Sequence, residues 1–407
     1  MIALHEEHGE VVASWVRLGY RSESVVCFDR HLDLKPLARA AAARLEHLDG
    51  EGPIGAENRR LPIREVAGSY GLDDFYAAGA ALGLVSRLTW VRATREADSP
   101  AARRRLLGAL SAIAAEPDVL DATRFDELGA LHTRVCGLDL VIHTPATFGA
   151  GAQDPHSRVD LDLDWFADVR TGQDHQPDEL LDLLDRHGLL GNVDSMTYSV
   201  RSGFLPEARR DLAPALAGAL GRGTLQRERD AIPLPEATFT ALRGEGGGPV
   251  PLDRYEAELS PLGPVGTALL GLLHLRTSGD VDQAGRCWHE AAEAGCRSSW
   301  LAYGIGLSHY RTESFAAAGE WFCRATGERT DTIEVKSSFL AALCTLRTGA
   351  YEEAHRALLE FAGSHPLHAD AARLAAGLGD RLGIERQPWL SRQIDAQQQL
   401  LGKGAAG

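Results

Sequence analysis

The feature that most constrains the fold is a change in the sequence pattern at residues 244–251, which read Gly-Glu-Gly-Gly-Gly-Pro-Val-Pro. Before this break, short runs of β-branched residues alternate with Ala- and Leu-rich stretches of helical periodicity, and after it the pattern is all-helical. Strands that alternate with helices predict a parallel sheet covered by helices on both faces. At 407 residues the chain is also too long for one ordinary core. We therefore expect an α/β domain over residues 1–245 and an all-α helical-repeat domain over 252–395.

Within residues 1–245 the expected strands are short apolar runs, and the expected helices are longer stretches with apolar residues on one face. The strands are predicted at 25–28, 88–91, 138–142 and 195–200, and the helices at 37–48, 74–84, 101–115 and 177–187. In such an arrangement, ligands bind at the carboxyl ends of the parallel strands.

The segment after the break repeats itself. A small residue begins the second helix of each repeat, at Ala284, Ala318 and Ala354, with steps of 34 and 36 residues. Small residues at such a period let paired helices pack closely. The segment resembles tetratricopeptide or Sel1-like repeats, with a plain helical bundle as the alternative. The aligned stretches are 268–294, 302–326 and 339–362, and each contains an Arg-Thr dipeptide.

Composition argues against several classes of function. The formal net charge of −15 argues against a nucleic-acid backbone as partner and favours attraction to a basic peptide. The chain has no run of eighteen apolar residues, and its N-terminus lacks the basic and apolar regions of a signal peptide. The six cysteines form no CxxC pair, which favours free thiols, most of them buried, in a reducing compartment. We expect a soluble cytoplasmic protein.

The strongest chemical signal is the motif Asp29-Arg30-His31-Leu32-Asp33, which directly follows the predicted strand 25–28. Alternate residues of an extended segment point to the same side, so Asp29, His31 and Asp33 can converge at the carboxyl end of one strand. Two carboxylates and an imidazole form a hard, mixed oxygen and nitrogen ligand set. Such a set suits Mn²⁺ or a similar divalent ion better than a thiolate-loving one.

A second cluster is Asp160-Leu161-Asp162-Leu163-Asp164, in which three acids alternate with apolar residues. On a strand all three carboxylates would face one way, and like charges stacked together repel unless a cation lies among them. The alternative is an amphipathic edge strand whose acidic face is solvated.

A third motif, Glu6-Glu7-His8-Gly9-Glu10, precedes the helical run 11–18. Alone, His8 would be interpreted as a surface or helix-capping residue. In chain order, however, a His motif, an Asp-x-His-x-Asp motif about twenty residues later and an Asp-x-Asp motif on a distant strand resemble the arginase-like (ureohydrolase) fold. The resemblance implies a centre that holds two manganese ions.

The resemblance also implies a role for each ligand. One manganese would be bound by His8, Asp29 and Asp33, and the second ion would be served by His31. Asp33 would bridge the two ions together with a later aspartate. Aligning the Asp-x-Asp motif at the strand end favours Asp162 and Asp164 as ligands, with Asp160 as a buried support. The other register, in which Asp160 and Asp162 bind metal, stays open.

The closer resemblance is to a divergent branch of this fold, long catalogued as a family of unknown function, which includes the peptide arginases of peptide natural-product pathways. That branch opens with Glu-(Asp/Glu)-His-x-Glu-Val, here residues 6–11, and continues with His/Cys-Phe-Asp-x-His-x-Asp-Leu, here 27–34. It then shows Leu-Asp-Ile-Asp-Leu-Asp-Phe-Phe, here 159–166, and a late Ser-x-Arg-Ser, here 199–202. The resemblance covers about residues 1–240 and leaves out the repeats.

This second resemblance implies a manganese-dependent enzyme that hydrolyses arginine side chains of a ribosomal precursor peptide to ornithine and urea. The helical repeats would hold the substrate peptide or a partner, or form a homodimer interface. The candidate substrate-binding residues lie in the first motif and around the last one, and are Glu7, Glu10, Tyr198, Arg201 and Ser202.

The sequence departs from the small-molecule arginases in two ways. The His-Gly motif thought to shuttle protons is missing, and no acid lies near residues 198–200, where arginases pair the substrate guanidinium. We take Asp73 and Asp74 as candidate catalytic residues for guanidinium pairing or proton transfer, with an N-terminal helix cap as the alternative. Two other functions stay open: another dinuclear-metal C–N hydrolase, such as an amidinohydrolase or deacetylase, and a repeat scaffold with an inactive head domain.

Overall fold

The structure is a computed structural model, and it describes residues 1–37, 42, 45, 73–114, 118–166, 175–200, 204–205, 207–226, 252–326 and 332–402. The chain divides into two compact units. The sheet unit comprises Met1–Leu106, Asp118–Asp230 and Gln398–Gly407, and the helical unit comprises Leu107–Pro117 and Ala231–Gln397. The break at 244–251 lies outside the described residues.

The sheet unit is built on nine strands, counted over its described residues. Seven of them run parallel, while β4 and β5 form an antiparallel extension beside β6. The strand order is β4-β5-β6-β3-β2-β7-β8-β1-β9. In chain order the strands are β1 Ile2–His5, β2 Glu23–Asp29, β3 Val85–Arg92, β4 Arg124–Phe125, β5 Leu131–Val135, β6 Leu138–His143, β7 Arg158–Asp162, β8 Val193–Thr197 and β9 Thr224–Gln226.

The strands β4 and β5 of the antiparallel extension were not predicted from the sequence, and neither were the parallel strands β1 and β9. Strands β5 and β6 are joined by Cys136 and Gly137, which both have positive φ, at 51° and 78°. Two left-handed residues in a two-residue loop match the twist of an antiparallel hairpin. The loop lacks the Asn-Gly or Asp-Gly pair that would have predicted a hairpin there.

Helices that flank the sheet are short. The predicted helices 74–84, 101–115 and 177–187 are present but shorter than predicted. The predicted helix 37–48 lies almost entirely outside the described residues. Helix α4 has only one turn, because Thr123 leaves helical geometry and begins the step into β4. In chain order the helices are α1 Val11–Leu18, α2 Phe75–Ala81, α3 Pro100–Leu110, α4 Val119–Ala122, α5 Pro145–Ala150, α6 Pro177–Arg186 and α7 Leu212–Ala219.

Strand β2 shows how the sheet is covered. Val26 and Phe28 belong to an apolar cluster that includes side chains of α5, α6 and α7. Cys27 and Asp29 alternate with them and face the opposite side, where Tyr76 of α2 contacts the Cys27 thiol. The α/β architecture expected from the alternation of predicted strands and helices is therefore confirmed, with helices on both faces of a mostly parallel sheet.

The order of the strands creates a switch point beside β2. After β2 the chain adds β3 and then β6 on one side, whereas β7 lies on the other side of β2 and is followed by β8. In open α/β sheets the connections diverge at such a point and leave a crevice at the carboxyl ends of the strands. The switch point here lies between β2 and β7, which end at Asp29 and Asp162.

The residues after the break are all-helical over their described part, as expected. The alanines Ala284, Ala318 and Ala354 are fully buried, and each lies at the start of the second helix of a pair. The helices are α8 Leu252–Leu259, α9 Pro264–Thr277, α10 Val281–Glu293, α11 Ser299–Arg311, α12 Phe315–Ala325, α13 Thr332–Arg347, α14 Tyr351–Ser364, α15 Ala369–Leu382 and α16 Pro388–Leu401.

Each predicted repeat becomes one antiparallel pair: α9 with α10, α11 with α12, and α13 with α14. Among the described helices, none combines the length and the apolar composition that a membrane crossing requires. All six cysteines are free. Cys27, Cys287 and Cys344 are buried, whereas Cys323 on α12 is exposed.

Candidate metal centre

Three strand ends bring the candidate ligands together. Strand β1 ends at His5, and a short 3-10 turn, His8–Glu10, then places His8 beside the ends of β7 and β2. Asp29 is the last residue of β2 and Asp162 is the last residue of β7, and these two strands are paired in parallel. The ligands therefore meet because the parallel strands end together, which is why motifs far apart in the chain share one edge.

His8 is surrounded by carboxylate oxygens. Its Nδ1 lies 3.0 Å from Oδ2 of Asp29, 3.2 Å from Oδ2 of Asp33 and 3.2 Å from Oδ2 of Asp162. Neighbouring ligands of an octahedral ion with bonds of about 2.1 Å are separated by about 3.0 Å. Oδ2 of Asp29 is buried and has no partner with hydrogen-bond geometry among the described residues. The four atoms fit a shared cation better than a set of hydrogen bonds.

The other ring nitrogen of His8 has a different partner. Nε2 lies 2.9 Å from Oδ2 of Asp160, which also accepts a hydrogen bond from the Tyr76 hydroxyl at 3.0 Å. The Ser195 hydroxyl donates to Oδ1 of Asp160 at 2.6 Å. Burial alone would raise the pKa of Asp160, but His8 and these hydrogen bonds outweigh burial and lower it. An ionised Asp160 accepts the Nε2 proton and leaves the Nδ1 lone pair for a metal.

A second group of ligands surrounds His31. Its Nδ1 lies 2.9 Å from Oδ2 of Asp164 and 4.0 Å from Oδ1 of Asp29. Oδ2 of Asp164 is buried and, like Oδ2 of Asp29, lacks a hydrogen-bond partner among the described residues. Asp29, His31 and Asp164 are close enough to hold one ion. Asp29 therefore lies near both histidines, and Asp33, which was expected to bridge, lies 3.2 Å from Nδ1 of His8 and also raises the pKa of His31.

The three acids of the run 160–164 do not lie on one strand. Strand β7 ends at Asp162, and a 3-10 turn, Leu163–Phe166, follows, with the Asp164 N–H donating to Oδ1 of Asp162 at 3.0 Å. This turn directs Asp164 toward His31 instead of stacking it with Asp160 and Asp162. The three acids are 1%, 3% and 0% exposed on a central strand and its turn, so the solvated edge strand is wrong.

The centre concentrates negative charge. Burial, Asp33 and Asp164 raise the pKa of Asp29 well above its usual value, and burial and Asp164 raise that of Asp162 to about 6. Burial opposes protonation of His8, yet Asp160, Asp162 and Asp29 raise the pKa of its imidazole well above its usual value. A buried cluster with more carboxylates than imidazoles is stabilised by cations. The donor set fits hard divalent ions such as Mn²⁺.

Cys27 also lies within the centre, close enough to His8 and Asp29 for the three to hold an ion. Burial raises the pKa of the Cys27 thiol well above its usual value, and contacts with His8 only partly oppose this effect. A protonated thiol is a poor metal ligand, because metals bind the thiolate. We therefore regard Cys27 as packing against the centre rather than as a ligand.

Two residues at the centre have left-handed backbone conformations. Asp33 has φ 47° and Ser199 has φ 49°. The Ser199 hydroxyl donates to Oδ2 of Asp162 at 2.6 Å, and its backbone N–H donates to the Glu6 carbonyl at 3.0 Å. Strained conformations of this kind persist where surrounding contacts hold them, often at functional sites. At Ser199 the conformation positions the hydroxyl on a candidate ligand.

The other candidate residues lie at various distances from this chemistry. Glu7 is buried, and Glu10 accepts a hydrogen bond from the backbone of Glu6 through Oε2 at 3.0 Å. The Tyr198 ring lies under the Arg210 guanidinium, 4.7 Å from its centroid. Arg201 and Ser202 lie outside the described residues.

Of the two candidate catalytic acids, Asp73 forms an ion pair with Lys35, and its side chain is 51% exposed. Asp74 occupies the N-cap position of α2 without a side-chain hydrogen bond to the helix. The helix that they introduce nevertheless matters, because it packs Phe75 against the His8 ring at 4.6 Å and brings Tyr76 to Asp160.

Several residues of the centre were missed by sequence reasoning: Tyr76, Ser195 and Ser199 as hydrogen-bond donors to aspartates, and the Arg210 guanidinium, which pairs with the buried Glu6 carboxylate at 2.6 and 2.9 Å. Ser195 is the direct register partner of Asp160 on the neighbouring strand. Knowing the strand order would have identified it, but the sequence does not give that order.

Comparisons with known proteins do not assign this centre. No protein-family model matches the sequence, and no curated protein is significantly similar to it.

Proposed function

We propose that this protein is a manganese-dependent peptide arginase on an arginase-like fold, which hydrolyses arginine side chains of a peptide to ornithine and urea. The observation that carries the proposal is the arrangement around His8: three carboxylate oxygens lie 3.0–3.2 Å from Nδ1, and a fourth carboxylate holds Nε2. The resemblance of the ordered motifs to the peptide arginases supports the choice of reaction.

The residues around the two histidines would hold two ions. His8 with Asp29, Asp33 and Asp162 forms one candidate set, and His31 with Asp29 and Asp164 forms the other. Two divalent ions in such sites supply a nucleophile at neutral pH by lowering the pKa of water. The preference for manganese rests on the carboxylate-rich, hard character of both sets.

The remaining residues of the centre fix the ligands in place. Asp160 fixes the tautomer and orientation of His8, while Ser195 and Tyr76 hold Asp160. Ser199 orients Asp162 in the same way. Such supports strengthen metal binding, because a ligand held in position loses little freedom when the ion arrives.

The centre is open on the side of His31. The His31 side chain is 40% exposed, and its ring lies 4.4 Å from that of Phe204, which is also 40% exposed. A substrate side chain approaching from solvent would meet this pair first. The formal charge of −15 favours a cationic substrate such as an arginine-containing peptide. A peptide would also suit the helical unit, which we propose is built of tetratricopeptide-like repeats.

Asp73 and Asp74 stay our candidates for pairing the guanidinium or transferring protons. The ion pair with Lys35 holds Asp73, so it would have to exchange Lys35 for the substrate. Asp74 directly precedes the helix whose Phe75 contacts the His8 ring, which supports keeping it as a candidate.

The test has two stages. Purified protein is loaded with Mn²⁺ and its metal content measured, with Asp29→Asn as the disabling variant and Asp139→Asn, an exposed acid on β6, as the control. We expect about two equivalents for the parent and the control, since two ligand sets are present. Less than one equivalent in the parent, unchanged in Asp29→Asn, would contradict a metal centre.

Second, the loaded protein is incubated with arginine-containing peptides, free arginine and acyl-lysine peptides. Urea and a matching loss of peptide mass, from peptide and not from free arginine, would support the proposal. Urea from free arginine would indicate a small-molecule amidinohydrolase, and deacylation without urea would indicate a deacetylase. A loaded protein inert toward all of them would favour a scaffold with an inactive head domain.

A further inference from the structure

A pocket opens in the sheet unit at the carboxyl ends of β3 and β6. It is lined by charged side chains of β3 and the segment after it, by Arg103 of α3, and by Thr144 and Thr147 at the start of α5. The pocket lies at the edge of the sheet where the candidate metal centre is found, because β3 is the direct neighbour of β2.

Most charges of the pocket are paired. Arg103 donates through Nε to Oδ1 of Asp98 at 2.7 Å, and Arg105 pairs with Glu96. Arg92, the last residue of β3, has no hydrogen-bond or ion-pair partner among the described residues, although it is partly buried. Burial and the nearby Arg105 guanidinium lower the pKa of Arg92. An arginine in this state gains a charge-assisted, bidentate contact if an oxyanion enters the pocket.

The position of Arg92 relates it to the metal centre. In the register of β2 and β3, Arg92 is the partner of Asp29, the carboxylate that faces both histidines. Neighbouring strands are about 4.8 Å apart. That spacing corresponds to between one and two residues of an extended peptide, which advances about 3.5 Å per residue. An anionic group one or two residues from a reacting arginine could therefore reach Arg92.

We propose that Arg92 binds a carboxylate of the substrate peptide and thereby selects which arginine enters the metal centre. The inference rests on the proposed peptide substrate and adds a specificity-determining residue to it. The carboxylate belongs either to an acidic side chain adjacent to the reacting arginine or to the C-terminus of the peptide. Both present the same planar oxyanion to the guanidinium of Arg92.

Binding is measured with the metal-free protein and four fluorescent peptides that differ only in their carboxylates: Glu or Gln before the arginine, each with a free or an amidated C-terminus. The variants are Arg92→Gln, Arg92→Lys and the control Arg134→Gln, which removes an exposed charge of the same sign from β5, outside the pocket lining. Folding of each variant is checked by circular dichroism.

In the parent we expect at least one acidic peptide to bind about tenfold tighter than its amide twin, as befits a hydrogen bond to a charged group. Arg92→Gln should reduce this ratio of affinities to about one and Arg92→Lys should leave a partial preference, while Arg134→Gln keeps the preference of the parent. If the affinity depends only on Glu, Arg92 binds the acidic side chain. If the affinity depends only on the free C-terminus, Arg92 binds the end of the peptide chain. No preference in the parent, or one that Arg92→Gln leaves intact, overturns the inference.

The two proposals fail separately. If the loaded protein releases urea from all four peptides equally and binds them equally, the arginase proposal stands and the role of Arg92 falls. If binding depends on the carboxylate through Arg92 but no peptide yields urea, the pocket stands as a carboxylate site and the arginase proposal falls.

Discussion

Nε2 of His8 lies 2.9 Å from Oδ2 of Asp160, 152 residues further along the chain. Because a carboxylate only accepts, Nε2 of His8 carries a proton, and Nδ1, which faces the other aspartates, is the nitrogen left to bind a metal. Within the run 160–164, the geometry thus sets Asp160 beside the ring nitrogen that would not bind metal, and Asp162 beside the one that would.

This relationship predicts the effect of Asp160→Asn. An amide can present its NH₂ group to Nε2 and favour the wrong tautomer, so the Mn²⁺ affinity should fall by about 10- to 100-fold while the fold is kept. The measurement is competition with a chelating fluorescent indicator. Asp154→Asn, at an exposed position in the loop before β7, is the matched control and should bind as the parent does. An unchanged affinity in Asp160→Asn would count against a supporting role.

The crowding of carboxylates around Asp29 predicts that Mn²⁺ reverses the order of stability of the parent and the Asp29→Asn variant. Without metal, Asp29→Asn removes a buried charge that Asp33 and Asp164 repel, so the variant should be more stable than the parent by about 1 kcal/mol. With Mn²⁺ at 100-fold above its dissociation constant, the parent should gain about 2.7 kcal/mol that the variant lacks. Urea unfolding in EDTA and in Mn²⁺ measures both. The same order of stability under both conditions would contradict the prediction.

His143, at the end of β6, predicts a pH dependence outside the metal centre. Burial lowers the pKa of its imidazole to about 4, and its Nδ1 lies 3.2 Å from the Thr147 hydroxyl. Because an unfolded histidine titrates near pH 6.5, the unfolded state binds the additional proton first as the pH falls. Stability is therefore lost from about pH 6.5 down to about pH 4, by up to about 1.4 kcal/mol per pH unit.

The measurement is the slope of unfolding free energy against pH in the parent and in His143→Gln. The slope should be shallower in the variant, by an amount that corresponds to at most one bound proton. The contributions of all other groups cancel in the comparison. An NMR titration should show the His143 ring neutral at pH 6. Equal slopes, or a ring that titrates above pH 6, would contradict the prediction.

The close approach of helices in the helical unit predicts different effects at two glycines. A Cβ at Gly271 in α9 would lie 2.6 Å from Cδ2 of Leu301 and 2.9 Å from Cβ of Cys287. Gly271→Ala should therefore destabilise the unit by about 1–3 kcal/mol. A Cβ at Gly377 in α15 would meet nothing within 4 Å, so Gly377→Ala should be neutral or stabilise by about 0.5–1 kcal/mol. Thermal unfolding followed by circular dichroism compares them, and equal effects would refute the packing argument.

Prediction from the sequence was most successful where one local pattern decides the structure. The strand 25–28 and the helix 177–187 could be predicted because apolar periodicity distinguishes a buried strand from an amphipathic helix. The alanines at 284, 318 and 354 marked the helix pairs, because only a small side chain fits at such contacts. The approach of Asp29 and His31 was expected from alternation along one extended segment, but β2 ends at Asp29, and a bend at residues 30–31 brings the two side chains together instead.

What the sequence by itself determined, then, was the class of the fold, the periodicity of the helical part and the residue types of a candidate metal centre. Only the tertiary structure decided which atoms meet: Asp160 on Nε2 of His8, Ser195 and Tyr76 behind it, and Asp164 turned away toward His31. It also placed Arg92 beside Asp29. The reason is physical, since local periodicity is set by neighbours in the chain, whereas strand order and the turn after Asp162 depend on contacts between residues far apart in sequence.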